Sequence, residues 1–110
     1  MAWLLTTPIE VGDLDTQDYA QVKISKLEMD TVHRYMRIWL EYGNVGEAGE
    51  WIPGLKPVGK DVDVMISGQT FLEWVMSATC LEDELVYNAV ARNTYTYLAT
   101  QGIIPPGAVV

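Results

Sequence analysis

Residues 32–42 read VHRYMRIWLEY, and two periodicities compete for them. As a strand, Val32, Met36, Ile38, Leu40 and Tyr42 face one way with Arg34 out of place. His33, Tyr35, Arg37, Trp39 and Glu41 then face the other way. As a helix, Asp30 caps the start, Val32, Tyr35, Met36, Trp39 and Leu40 form the apolar stripe, and Gly43 ends it. Periodicity alone leaves both open. Aromatic and β-branched content, with a hairpin turn available at Met29-Asp30-Thr31-Val32, favours the strand.

Upstream, Tyr19 to Met29 is strand-like. Val22 and Ile24 share one face while Leu27 and Met29 have the opposite parity, so a bulge near Ser25 and Lys26 is predicted to bring all four to one side. Downstream, the glycines and prolines of residues 43–57 predict a loop with Trp51 and Ile52 embedded in it. Residues 62–67 alternate Val62, Val64 and Ile66 against Asp63 and Met65, which adds a strand to an antiparallel sheet.

After Gly68 the pattern turns helical. Thr70 and Glu73 have capping-box spacing, with Phe71, Leu72, Val75 and Met76 as the stripe of a short helix ending near Ala78. Thr79 and Glu82 repeat that spacing, and Glu82, Asp83 and Glu84 suit the positive end of a second, longer helix. Its expected buried face is Val86, Tyr87, Val90, Ala91, Thr94, Tyr97 and Leu98. Gly102 stops it, and Ile103 folds back on the last turn. The expected fold is α+β: a small antiparallel β-sheet with a short helix, a longer C-terminal helix and extended N- and C-terminal arms. Residues 1–18 form the N-terminal arm, 19–102 a single domain and 103–110 an apolar tail.

At 110 residues, with 49% hydrophobic and 20% charged residues, the chain fits one globular domain. Its net charge of −8 disfavours direct nucleic-acid binding, which begins with phosphate neutralisation. Lys23, Lys26, Arg34 and Arg37 are a local exception, read as a solvated face or a partner for an acidic neighbour. The lone Cys80 excludes an internal disulfide. The first residues lack the basic start and apolar run of a signal peptide, and no stretch is apolar enough to span a bilayer, so no membrane association is expected.

The motifs that bear on chemistry point away from it. GLKPVGK at residues 54–60 has phosphate-loop spacing, but Asp61 replaces the required hydroxyl residue and a strand follows where a helix is needed. DLDTQD at residues 13–18 lacks the glycine and glutamate of a calcium loop, since Asp18 and Ile24 stand there. It reads as a solvated acidic arm. His33 and Cys80 are the sole candidates for a thiol–imidazole pair, and nothing local joins them; His33 is instead expected on the polar strand face opposite Glu28. No cofactor, metal or catalytic group is assigned.

Apolar residues in irregular segments carry more information. Trp3, Leu4, Leu5, Trp51, Ile52, Ile103, Ile104, Val109 and Val110 are the expected interface residues, because loops and tails rarely leave such side chains in water without purpose. With apolar arms at both ends, shelter on a neighbour is expected. Deleting residues 103–110 is then expected to abolish association and leave the body folded. RIWLEYG (37–43), EWIPG (50–54), VMISGQTF (64–71) and YNAVARNTYTYLATQGIIPPG (87–107) together resemble the small structural proteins of tailed bacteriophages, in overall pattern across residues 20–107. That resemblance implies a non-enzymatic subunit of capsid, neck or tail. It would be made in the host cytoplasm and held in the virion by neighbouring virion subunits, copies of itself among them. A soluble binding module that captures a host protein or small ligand is the alternative.

Overall fold

The computed structural model describes residues 1–9, 18–54, 56, 57 and 59–110. The strands are β1 (Trp3–Ile9), β2 (Tyr19–Asp30), β3 (Tyr35–Val45), β4 (Trp51–Pro53), β5 (Asp63–Ser67) and β6 (Gly107–Val109). The helices are α1 (Gly68–Phe71), continued by a π-helical turn over Leu72–Met76, and α2 (Val86–Thr100). All strand pairs are antiparallel, in the order β4-β3-β2-β1-β6. β5 lies beside residues 35–39 of β3, on the flank that β4 continues beside residues 43–45. This is the expected α+β class.

Residues 35–45 form the long strand at the centre of the pattern. Met36, Ile38, Leu40 and Tyr42 are buried and alternate with half-exposed Tyr35, Arg37, Trp39 and Glu41, the signature of a sheet with one covered face. Val32 is excluded from the strand and lies exposed in the turn. The bulge predicted near Ser25 is present: Ile24 pairs with Leu40 and Lys26 with Trp39, so Ser25 is the extra residue. It places Val22, Ile24, Leu27 and Met29 opposite Tyr42, Leu40, Ile38 and Met36, all on the inner face. The hairpin turn spans Thr31–Arg34, and the Asp30 carboxylate accepts from the backbone N–H groups of Val32 and His33 at 3.0 and 2.8 Å. That places His33 in the turn, its Nδ1 2.8 Å from Asp30, rather than on a strand face opposite Glu28.

Four further expectations need correction. Trp51 and Ile52 lie on a short edge strand, because β3 continues to Val45 and a turn closed by Gly46 N–H to Glu50 C=O at 2.8 Å returns the chain beside it. The first helix begins at Gly68, two residues before the Thr70–Glu73 box, and leaves Met76 exposed. The second begins at Val86, seven residues past Thr79, with Leu85 at the cap position. Its buried residues are Ala89, Ala91, Thr94, Tyr95 and Leu98; Val86 and Tyr87 are exposed. The end of α2 matches the expectation. Gly102 has φ +73°, and Ile103 and Gly102 donate to the carbonyls of Leu98 (2.9 Å) and Ala99 (3.1 Å), a Schellman closure.

The fourth correction concerns the chain ends. β1 pairs with both β2 and β6, Trp3 facing Val22 on one side and Val109 on the other. Trp3 Nε1 donates to the Pro105 carbonyl at 3.0 Å, and its ring stacks on Tyr95 at 6.0 Å between centroids. Trp3, Leu5 and Ile104 are core residues. The apolar ends therefore shelter on each other and on α2, because adjacent strands satisfy backbone groups and side chains together. The acidic segment at residues 10–17 lies outside the described residues.

Candidate interaction surfaces

Because α1, the π-helical turn and α2 contribute Phe71, Val75, Ala91, Tyr95 and Leu98 to the core beneath one side of the sheet, the other side carries no layer of described residues. The side chains that point there are Lys23, Lys26 and Glu28 from β2, Tyr35, Arg37, Trp39 and Glu41 from β3, and Asp63 and Met65 from β5. Trp39 sits between two cations, with Lys26 Nζ at 4.8 Å and Arg37 Cζ at 4.7 Å from its ring centroid. Arg37 is fixed by a bidentate pair with Asp63 at 2.9 and 2.6 Å. That hydrogen bond raises the guanidinium pKa and lowers that of the carboxyl. Lys23 lies 5.5 Å from the Trp51 ring, whose indole N–H donates to Glu41. Three of the four clustered cations thus line one outward face, and Arg34 stands at its end in the turn.

A second surface surrounds the start of α2. Met76, Leu81, Leu85, Val86 and Tyr87 are 53, 61, 70, 71 and 55% exposed. The loop between the π-helical turn and α2, which carries Leu81 and Leu85, is tied down. Arg92 donates to Glu84 Oε1 at 3.0 Å and to the Thr79 carbonyl at 2.9 Å, and Glu84 Oε1 also accepts the Leu81 N–H at 3.0 Å. The Arg92 hydrogen bond holds the Glu84 carboxyl below its usual range. Asn93 donates to the Trp74 carbonyl at 3.0 Å, securing the preceding helical turn. Leu85 and Val86 are therefore presented at fixed positions, with exposed Glu82 and Asp83 beside them.

Of the residues expected at an interface, Trp3, Leu5 and Ile104 are buried in the core. Trp51, Ile103 and Val109 are half-buried, and Leu4, Ile52 and Val110 are exposed at 42, 48 and 59%. Leu4 lies next to Ala108 across β1 and β6, and Ile52 lies next to Asn44 at the other side of the sheet, so the structure does not gather them into one site. The sequence reading missed the apolar surface at residues 81–87, because the Thr79–Glu82 spacing drew the helix too early and turned Val86 and Tyr87 inward. Leu81 and Leu85, embedded in an acidic run, were the available signal.

His33 and Cys80 have separate surroundings: the imidazole is bonded to Asp30, and the thiol is exposed and free. Among the described residues no group of three His, Cys, Asp or Glu side chains is placed to hold a metal ion, and no helix is long and apolar enough to cross a membrane. The segment after GLKPVGK leads into β5, a strand, as its sequence predicted. Comparison with protein-family models, with curated proteins and with solved structures gave no match.

Proposed function

We propose that the chain is a non-enzymatic structural subunit of a tailed-phage particle, held to neighbouring subunits through the apolar surface at the start of α2. The observation that carries this reading is the display of Leu81, Leu85, Val86 and Tyr87, each more than half exposed, at the start of α2 and on the loop before it, which the Glu84–Arg92 pair fixes. Clustered apolar side chains held rigidly in water favour association, since their ordering cost is already met within the monomer. The pattern resemblance to small virion proteins supports the particle context. The terminal segments serve the protomer's own sheet, so association does not run through Trp3, Leu5 or Ile104. The acidic remainder of the surface limits non-specific contact, including contact with nucleic acid.

Static light scattering of the full chain over a concentration series tests this. The double variant Leu85→Ser, Val86→Gln is suited to it, because Ser is a good cap at a position that now makes no side-chain cap bond. Fully buried, the two native side chains contribute roughly 1.5–3 kcal/mol each, so the variant should bind its neighbour about a hundredfold more weakly or worse. The wild type should gain mass with concentration while the variant stays monomeric at an unchanged Tm. A wild type that remains monomeric throughout contradicts the reading. That result would favour the second reading, a binding module that takes a host protein or small ligand on the sheet's outer face, for which the cation-flanked Trp39 is the supporting observation.

A further inference from the structure

We infer that the Glu84–Arg92 pair is an acid-released latch on the assembly surface: closed, it holds Leu81 and Leu85 in place, and opened by protonation of Glu84 it frees residues 79–84, so that the surface loses its shape. This rests on the assembly reading above and names what regulates it.

The loop has no other hold on the body. None of residues 76–87 is buried, and Leu81, Leu85, Val86 and Tyr87 belong neither to the core cluster nor to the half-buried side chains packed against it. Among the described residues, the hydrogen bonds that tie residues 79–84 to a helix or strand all come from Arg92. Its Nε donates to Glu84 Oε2 at 3.3 Å, and its Nη2 to Glu84 Oε1 at 3.0 Å and to the Thr79 carbonyl at 2.9 Å. The rest are local: Leu81 N–H to Glu84 Oε1 and Glu84 N–H to the Leu81 carbonyl, both at 3.0 Å, and the Thr79 hydroxyl to the Ser77 carbonyl at 3.5 Å. Breaking one ion pair therefore releases the whole segment.

Local preference does not keep the loop as it is. Asp83 sits at φ +62°, in the left-handed region that an L side chain enters at a cost. The Thr79–Glu82 spacing favours helical turns that the loop does not make. Arg92 stands inside α2 and acts on the surface through Glu84, which makes it a positioning residue.

The chemistry of the pair makes it respond to acid. Glu84 Oε1 accepts from the guanidinium and from the Leu81 N–H, so a proton on the carboxyl adds a donor among donors and removes the charge that draws Arg92. Arg92 is the charged group that α2 turns toward Glu84. The loop's own ionisable groups are exposed Glu82 and Asp83, and Cys80, which lies close enough to act on Arg92. The π-helical turn carries Glu73, whose carboxylate is bonded by Gln69 instead. The Arg92 hydrogen bond holds the Glu84 carboxyl below its unfolded value of 4.5, so the latch is fully closed above that pH and opens as pH falls through the lower, folded value. Over the same range the chain loses its net charge of −8, which by itself favours association. The latch predicts a fall in association where general electrostatics predicts a rise.

Sedimentation velocity of the full chain over a concentration series tests this. At neutral pH, Glu84→Gln, which cannot ionise, and Arg92→Gln should each associate about tenfold more weakly than the wild type or worse, since binding must then order residues 79–84 as well. Arg92→Lys keeps the charge without the planar fork and should fall between. From about pH 6 to about pH 3.5, wild-type association should weaken while that of Glu84→Gln does not. Near-ultraviolet circular dichroism of each sample checks that the core stays packed. Parallel pH profiles for the wild type and Glu84→Gln, or both Gln variants matching the wild type at neutral pH, would overturn the latch while the assembly reading stands. A wild type that stays monomeric at every concentration removes the assembly reading, and the latch with it.

Discussion

Tyr95 and Tyr42 are both buried, and burial pushes both phenols up to about 12. The Tyr95 hydroxyl accepts the Ile24 N–H at 2.8 Å and lies 3.5 Å from the Met1 carbonyl, standing in for strand pairing where β1 runs out. The Tyr42 hydroxyl has no hydrogen-bond partner among the described residues. Removing the two hydroxyls therefore has unequal effects. Tyr95→Phe leaves a buried N–H unpaired and should cost about 1–3 kcal/mol, whereas Tyr42→Phe removes an unpaired group and should be neutral or stabilising. Urea unfolding of the two variants reads the difference. The raised phenols also set an alkaline limit. A group that binds its proton more tightly when folded stabilises fully below its unfolded value of 10.0 and loses that contribution as pH rises toward 12. Stability measured by denaturant should fall between pH 10 and 12, and less steeply in Tyr95→Phe.

Pairing of β1 with β6 depends on Gly107, since a Cβ there would meet the Leu4 carbonyl of the neighbouring strand. Gly107→Ala should force the strands apart and cost about 1–3 kcal/mol, seen as a lower Tm that does not vary with protein concentration. The sheet was legible in the sequence because its signals are periodic: alternation over 36–42 fixes the buried face of β3, and the parity change at Ser25 can be absorbed in no other way than by a bulge. The end of α2 was legible because a glycine at positive φ and the apolar residue after it act within one turn. The start of α2 was not. The Thr79–Glu82 spacing is a valid local cap, but Glu84 is drawn to Arg92 eight residues on, and Asp83 takes a positive φ of 62°, so the segment stays a loop. That is a tertiary contact overriding a local preference, and it hid the apolar surface as well.

The two ends of the chain meet in one molecule. Ile104 is fully buried, and Trp3 bridges Pro105 and Tyr95, so the tail belongs to the folding unit. Composition shows that such ends need cover, yet it does not show whose; strand pairing over a hundred residues of separation is invisible to local pattern. Ile104→Ala should cost about 2–5 kcal/mol, and deletion of residues 103–110 should unfold the domain instead of releasing a folded monomer. The clustered cations, by contrast, were visible as a run, and the sheet gathers them on one face. The assembly proposed above runs through the apolar residues at the start of α2 and on the loop before it. Hydroxyl-radical footprinting of the wild-type chain across a dilution series measures their burial directly. Leu81, Leu85 and Tyr87 should become protected together, at one shared concentration midpoint. Unchanged labelling of the loop at every concentration would contradict the account.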